Sequence, residues 1–204
     1  MTTTFQPSQP SKENNMQALN KTVARNKFNK QGGFTLTELV IVLAIVALIG
    51  AASTLVVPRI MAKYRATKIT DAIAEAIPAI QVAKNNTTSF SDLTTAQVAQ
   101  NGWINDSFIE YANGVPTGNL MTQWGTIAVA PTAGNQQGQI TMTNIPSKEC
   151  TLIGNSFTSG LILTGSINGS SVKNGGLANV DQTLVGTTCS SSATNTIVLT
   201  FGRA

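Results

Sequence analysis

Histidine is absent from all 204 residues. That absence removes the usual general base at neutral pH, the commonest zinc ligand, and any Ser-His-Asp or Cys-His arrangement. Charge is scarce as well, at 11% of the chain, against roughly 25% in an ordinary soluble domain. Aromatics, at 5%, are too few for the stacking platform that single-stranded nucleic acid requires. No G-x-S-x-G, P-loop, Rossmann or H-E-x-x-H pattern occurs. The acids Asp92, Asp106, Glu110 and Asp181 are scattered. The sequence therefore predicts no enzyme, no cofactor and no metal site.

The net charge of +4 is a matter of location. Lys12, Lys21, Arg25, Lys27 and Lys30 stand against the single acid Glu13 in residues 1–33, so the whole excess lies there. Without that segment no basic excess remains to attract a polyanion. Residues 1–33 are polar, with few large apolar side chains, and cannot offset their own ordering entropy. They lack the apolar core of an ordinary secretory signal.

Phe34 to Val57 has the opposite character. Of these 24 residues, 18 are apolar, and Leu39 to Gly50 contains no polar side chain. As a helix the stretch spans about 36 Å, enough for a hydrocarbon core of about 30 Å. A buried soluble helix is the alternative, but the apolar residues cover every face. The segment 36–57 is therefore expected to cross a membrane.

Pro58 would break or kink a helix interior, and Gly50 is a second place to bend. A helical pattern nevertheless resumes. Ile69, Ile73, Ile77 and Ile80 form one stripe with Ala66, Ala72 and Ala76 beside it, while Arg59, Lys63, Arg65, Lys68, Asp71 and Glu75 lie mostly off it. Asp71 and Glu75 are spaced to pair with those bases on the helix surface. One kinked helix over 34–85 would be about 78 Å long.

From residue 86 the chain turns to Gly, Ser, Thr and Asn with short apolar alternations. A short helix is predicted at 94–100, and strands at 124–129, 139–145, 160–167 and 196–201. Ser166–Gly176 reads as a turn or loop, with Lys173 as a solvated turn charge. Trp103 and Trp124 read as core or subunit packing. The fold class is α+β: a long N-terminal helix packed on a C-terminal antiparallel sheet.

Cys150 and Cys189 are the only cysteines. Two buried thiols are one reading. A disulfide closing a loop of that size is the other, worth about 4 kcal/mol in the chain-entropy model. One membrane span and a Thr/Asn/Gly-rich exterior favour an oxidising, extracytoplasmic compartment. The spacing is not Cys-x-x-Cys, and no histidine exists to complete a zinc site.

The junction Lys30-Gln31-Gly32-Gly33-Phe34-Thr35-Leu36-Thr37-Glu38-Leu39 carries the chemistry. Glu38 is an acid inside an apolar helix, costly unless partnered. No Lys or Arg lies between residues 31 and 58, so its partner must come from elsewhere or be created. A glutamate snorkelling to the membrane surface is the alternative. Cleavage after Gly33 would create a partner, because an α-amino group has a pKa near 8 and is mostly cationic at neutral pH. At about 4 Å and an effective dielectric near 20 the two attract by about 4 kcal/mol. Between chains such pairing runs head to tail, and an unclosed heterologous contact makes a filament.

This decapeptide and the apolar run after it resemble the class III signal and N-terminal helix of type IV pilins. The resemblance implies the pilin fold and a structural subunit of a type IV pilus. It implies that a prepilin peptidase cuts after Gly33, that Phe34 is then N-methylated, and that Glu38 pairs with a neighbour's Phe34 amine during assembly. It further implies a cytoplasmic leader at 1–33, a helix at 34–85 and an exported domain at 86–204 whose exposed variable face is the Cys150–Cys189 region. The 33-residue leader resembles the type IVb branch, as do Thr143-Asn144-Ile145-Pro146 and the cysteine placement, whereas Phe at the first mature position is more typical of type IVa. Partners implied are other copies of the chain, the peptidase, a pilus assembly platform and, before assembly, the inner membrane. Charge alone does not orient the span, since Lys21, Arg25, Lys27 and Lys30 precede it and Arg59, Lys63, Arg65 and Lys68 follow it. A type II secretion pseudopilin, a minor pilin and a single-pass anchored periplasmic binding protein are the alternatives.

Overall fold

The computed structural model describes residues 33–85, 89–132, 134–175 and 179–202. Residues 1–32 of the expected leader lie outside them. Helix α1 covers Leu36–Ala83, and its helical assignment runs through Pro58 and Pro78. Residues from Val46 onward form one compact unit, and its architecture follows.

After α1 come α2 (Thr95–Gln100), a 3-10 turn at Asp106–Phe108, β1 (Ile109–Ala112), β2 (Val115–Met121), β3 (Thr126–Pro131) and β4 (Gln137–Pro146). Helix α3 (Ser147–Asn155), β5 (Ile162–Ile167), β6 (Ser170–Lys173), α4 (Gln182–Ser190) and β7 (Thr194–Gly202) complete the chain order. The seven strands form one sheet in the order β1-β2-β3-β4-β7-β5-β6. Every neighbouring pair is antiparallel. The expected α+β arrangement is the one observed.

The isoleucine stripe lies where its spacing places it. Ile69, Ile73, Ile77 and Ile80 are buried with Ala66, Ala72 and Ala76, in one core with Ile140 and Met142 of β4 and Ile197, Leu199 and Phe201 of β7. Each fully buried Ile is worth about 1.5–3 kcal/mol relative to exposure. β7 alternates strictly, with Asn195, Ile197, Leu199 and Phe201 inward. β4 keeps that alternation to Met142, then resumes at Ile145 past an irregularity where Asn144 has φ 59°. Gly138 of β4 sits beneath the Phe201 ring, and a Cβ there would collide with it.

Two tight hairpins were not predicted. Asn113 and Gly114 join β1 to β2 with φ of 52° and 80°, and Asn168 and Gly169 join β5 to β6 with φ of 50° and 84°. Paired positive φ values are those of the type I′ turn. The reading of Ser166–Gly176 as a loop is therefore corrected: Ser166 and Ile167 end β5, and Ser170–Lys173 is an edge strand. Lys173 is corrected with it. It is 1% exposed, and its Nζ donates to the Phe157 carbonyl at 2.6 Å and the Ser159 carbonyl at 2.8 Å. Burial pushes its pKa down.

The expected surface pairs of Asp71 and Glu75 also fail. Among the described residues the ion pairs are Lys84–Asp92 at 2.8 Å and Arg65–Glu149 at 4.0 Å. Lys68 lies instead over the Tyr64 ring, 5.3 Å from its centroid. Lys84, also donating to Gln97, ties the end of α1 to α2. Trp103 and Trp124 are half-buried against the core.

Candidate functional site

Gly33, Phe34 and Thr35 precede the helix and are exposed. Phe34 is 84% exposed. The helix starts at Leu36 because Thr35 caps it. The Thr35 hydroxyl oxygen accepts from the Glu38 backbone N–H at 3.2 Å. In return Glu38 Oε2 accepts from the Thr35 backbone N–H at 3.1 Å and from the Thr35 hydroxyl at 3.1 Å. This reciprocal arrangement is a capping box, which satisfies two of the N–H groups that a helix start leaves open. The acid also suits the positive end of the helix dipole.

The capping box gives Glu38 a local, uncharged partner besides the one expected from elsewhere or created by cleavage. Half of the carboxylate is satisfied within its own first turn. Oε1 has no hydrogen-bond or ion-pair partner among the described residues. The negative charge itself is not neutralised, because both donors belong to the uncharged Thr35. An ammonium group approaching Oε1 would find an acceptor already fixed in direction. The sequence signal was present in Thr35-x-x-Glu38 ahead of an apolar run.

From Leu39 to Thr54 the helix is exposed on all sides. Leu43, Val46, Leu48 and Ile49 are 59%, 59%, 72% and 61% exposed. Mean hydropathy over an 18-residue window reaches 2.8, so α1 is long and apolar enough to cross a membrane. The two hydroxyls between Leu39 and Pro58 are satisfied internally: Ser53 donates to the Ile49 carbonyl and Thr54 to the Ala51 carbonyl, each at 2.8 Å. Such self-pairing removes the penalty for a hydroxyl in hydrocarbon. Pro58 lacks an N–H, so the Thr54 carbonyl loses its helical donor. A Cβ added to Gly50 would meet nothing within 4 Å.

Cys150 in α3 and Cys189 in α4 are joined in a disulfide with Cα atoms 5.7 Å apart, and both are fully buried. Asn195 braces the same corner, its amide donating to the Cys189 carbonyl at 3.2 Å and the Ile145 carbonyl at 3.3 Å. The bridged region carries α3, β5, β6 and α4. Among the described residues no cluster of His, Cys, Asp or Glu could hold a metal ion.

Residues 28–54 match the family model described as the prokaryotic N-terminal methylation motif. Among solved structures, the chain is similar to the type IVb pilin from Salmonella typhi, at 23% identity and a TM-score of 0.47, over 63% of this chain and 95% of that one. It is also similar to TcpA, a type IV pilin from Vibrio cholerae El Tor biotype, at 14% identity and a TM-score of 0.46, over 67% of this chain and 98% of that one. No curated protein sequence matches it. The motif match spans the junction decapeptide, Gly33, Phe34 and Glu38 included, and meets the resemblance to type IV pilins read from those residues.

Proposed function

We propose that this chain is the structural subunit of a type IV pilus. It is made as an inner-membrane precursor with its leader, residues 1–33, in the cytoplasm and the domain from residue 86 in the periplasm. A prepilin peptidase cleaves after Gly33 and the new N-terminus is methylated at Phe34. The assembly platform then moves the helix from lipid into a bundle of its own kind. There the Phe34 amine of one copy meets Glu38 of the next, setting the axial register. Gly50 and Pro58 are where the helix bends or unwinds as it leaves the bilayer. The finished fibre is extracellular and serves adhesion, aggregation, mating contact or motility.

The observation that carries this reading is Glu38. It is the only charged residue from Phe34 to Val57. Its carboxylate is held by Thr35 on one oxygen and open on the other. An acid needed only as a helix cap would be replaceable by glutamine, which completes a capping box equally well. Glu38→Gln therefore separates the two roles. The expected outcome is a cleaved, membrane-bound protein that forms few filaments by electron microscopy. Normal filaments from that variant would reduce Glu38 to a cap and refute the pairing. Intact mass of the natural protein should give a chain starting at Phe34, with one added methyl and two hydrogens missing at the cysteines.

A further inference from the structure

Four bases, Arg59, Lys63, Arg65 and Lys68, follow the apolar run, and no acid lies between Leu39 and Thr70. Two of them, with Tyr64, line a cleft of about 430 Å³ between α1 and the β2–β3 connection, closed on the far side by Met121, Gln123 and Trp124. Its cations are under-used. Arg65 reaches Glu149 only at 4.0 Å, leaving most of its guanidinium donors free, and Lys68 has Tyr64 as a neighbour and no acid. Glu149, the acid that pairs with this group among the described residues, is buried.

The cleft's height along the helix decides its ligand. Met61, Tyr64 and Arg65 follow Val57 by about 6, 10 and 12 Å at about 1.5 Å per residue. Helical side chains lean toward the N-terminus, so Arg65 and Lys68 reach back toward the apolar end. The polar layer of one leaflet is about 5–7 Å deep. Trp and Tyr favour that same level, with an apolar body and a polar edge.

We infer that this cleft seats the headgroup of an anionic phospholipid while the chain is anchored, with Arg65 and Lys68 on the phosphate and Tyr64 and Trp124 beside it. The inference rests on the membrane-anchored precursor of the proposed function. It adds that the domain is held at the bilayer by a specific lipid contact, which must be released when the subunit leaves for the filament.

Trp124 is a built-in reporter, since the Trp103→Phe background leaves it as the sole tryptophan. Full-length protein is reconstituted in phosphatidylcholine vesicles with and without phosphatidylglycerol, and Trp124 emission is followed. A saturable response to phosphatidylglycerol is expected, reversed by salt through screening, with none to inorganic phosphate in phosphatidylcholine vesicles. Arg65→Gln with Lys68→Gln should raise the phosphatidylglycerol requirement roughly thirtyfold, the factor two bases at a membrane surface supply. A chain that fails to co-sediment with either vesicle overturns the anchor reading and this inference together. A chain that integrates equally in both while Trp124 ignores phosphatidylglycerol overturns this inference alone. An unchanged lipid response accompanied by lost filaments in the double variant would assign the cleft to a neighbouring subunit instead.

Discussion

Residues 39–57 and 62–80 share one helix and are both rich in apolar side chains, yet they find burial in different places. In the first stretch Leu48 and Ile49 are 72% and 61% exposed; in the second Ile77 and Ile80 are 1% and 0% exposed. The difference is one of pattern more than of oiliness. A stripe with charges beside it can be satisfied by one sheet, and β4 and β7 supply it. A helix apolar on every face cannot be covered by a single partner within its own chain; the proposed function covers it with lipid and then with other copies.

The comparison breaks if the two stretches do not separate under mutation. Ile77→Ala should lower the stability of the folded domain by about 2–5 kcal/mol, the usual cost of a truncated core residue, while leaving membrane association intact. Thermal unfolding and vesicle flotation of the same sample test both halves of that statement. Val46→Lys should do the reverse. A cation near the middle of a span costs about 2.5–3.5 kcal/mol of insertion, so the protein should leave the membrane fraction with an unchanged melting temperature. Loss of both properties in either variant would mean that the stretches act as one unit.

Acid sharpens the contrast with the smallest effect. Asn119 and Thr117 donate to the Glu110 carboxylate and hold its pKa below the usual value, and Lys84 does the same for Asp92. Because these pKa values are lowered in the folded state, their contribution is full above the unfolded carboxylate range and is lost as pH falls through the folded values. The domain's melting temperature should therefore drop slightly below about pH 4. No residue from Leu39 to Val57 titrates, so helicity of the membrane stretch in vesicles should not follow it. Glu110→Gln should reduce the drop.

What the sequence disclosed followed the same logic of pattern. The stripe of α1 and the alternations of β3, β4, β5 and β7 were legible because each repeats over several residues. Helices α3 and α4 were not. Ser147–Asn155 and Gln182–Ser190 are short and rich in Thr, Gly and Ser, and the Cys150–Cys189 bond holds them together. Strand β2, VPTGNLM, hides behind its Pro and Gly. The hairpins did have signals, since Asn113-Gly114 and Asn168-Gly169 are the dipeptides that type I′ turns favour. Lys173 had none: a lysine between Asn and Val gives no hint that two carbonyls from a loop after α3 will enclose its amine. At the junction Gly33, Phe34 and Glu38 are legible from the Gly-Gly pair and the lone charge, while Thr35, which sets the carboxylate's direction, carries only the weaker signal of a capping residue.

Strand β7 comes after every other strand along the chain, yet it lies between β4 and β5. Until it arrives, the sheet exists as two halves with bare inner edges, and neither has its central partner. A nascent polypeptide stopped before Thr194 therefore has no route to the finished domain. The fold locks only once its final strand is in place between β4 and β5.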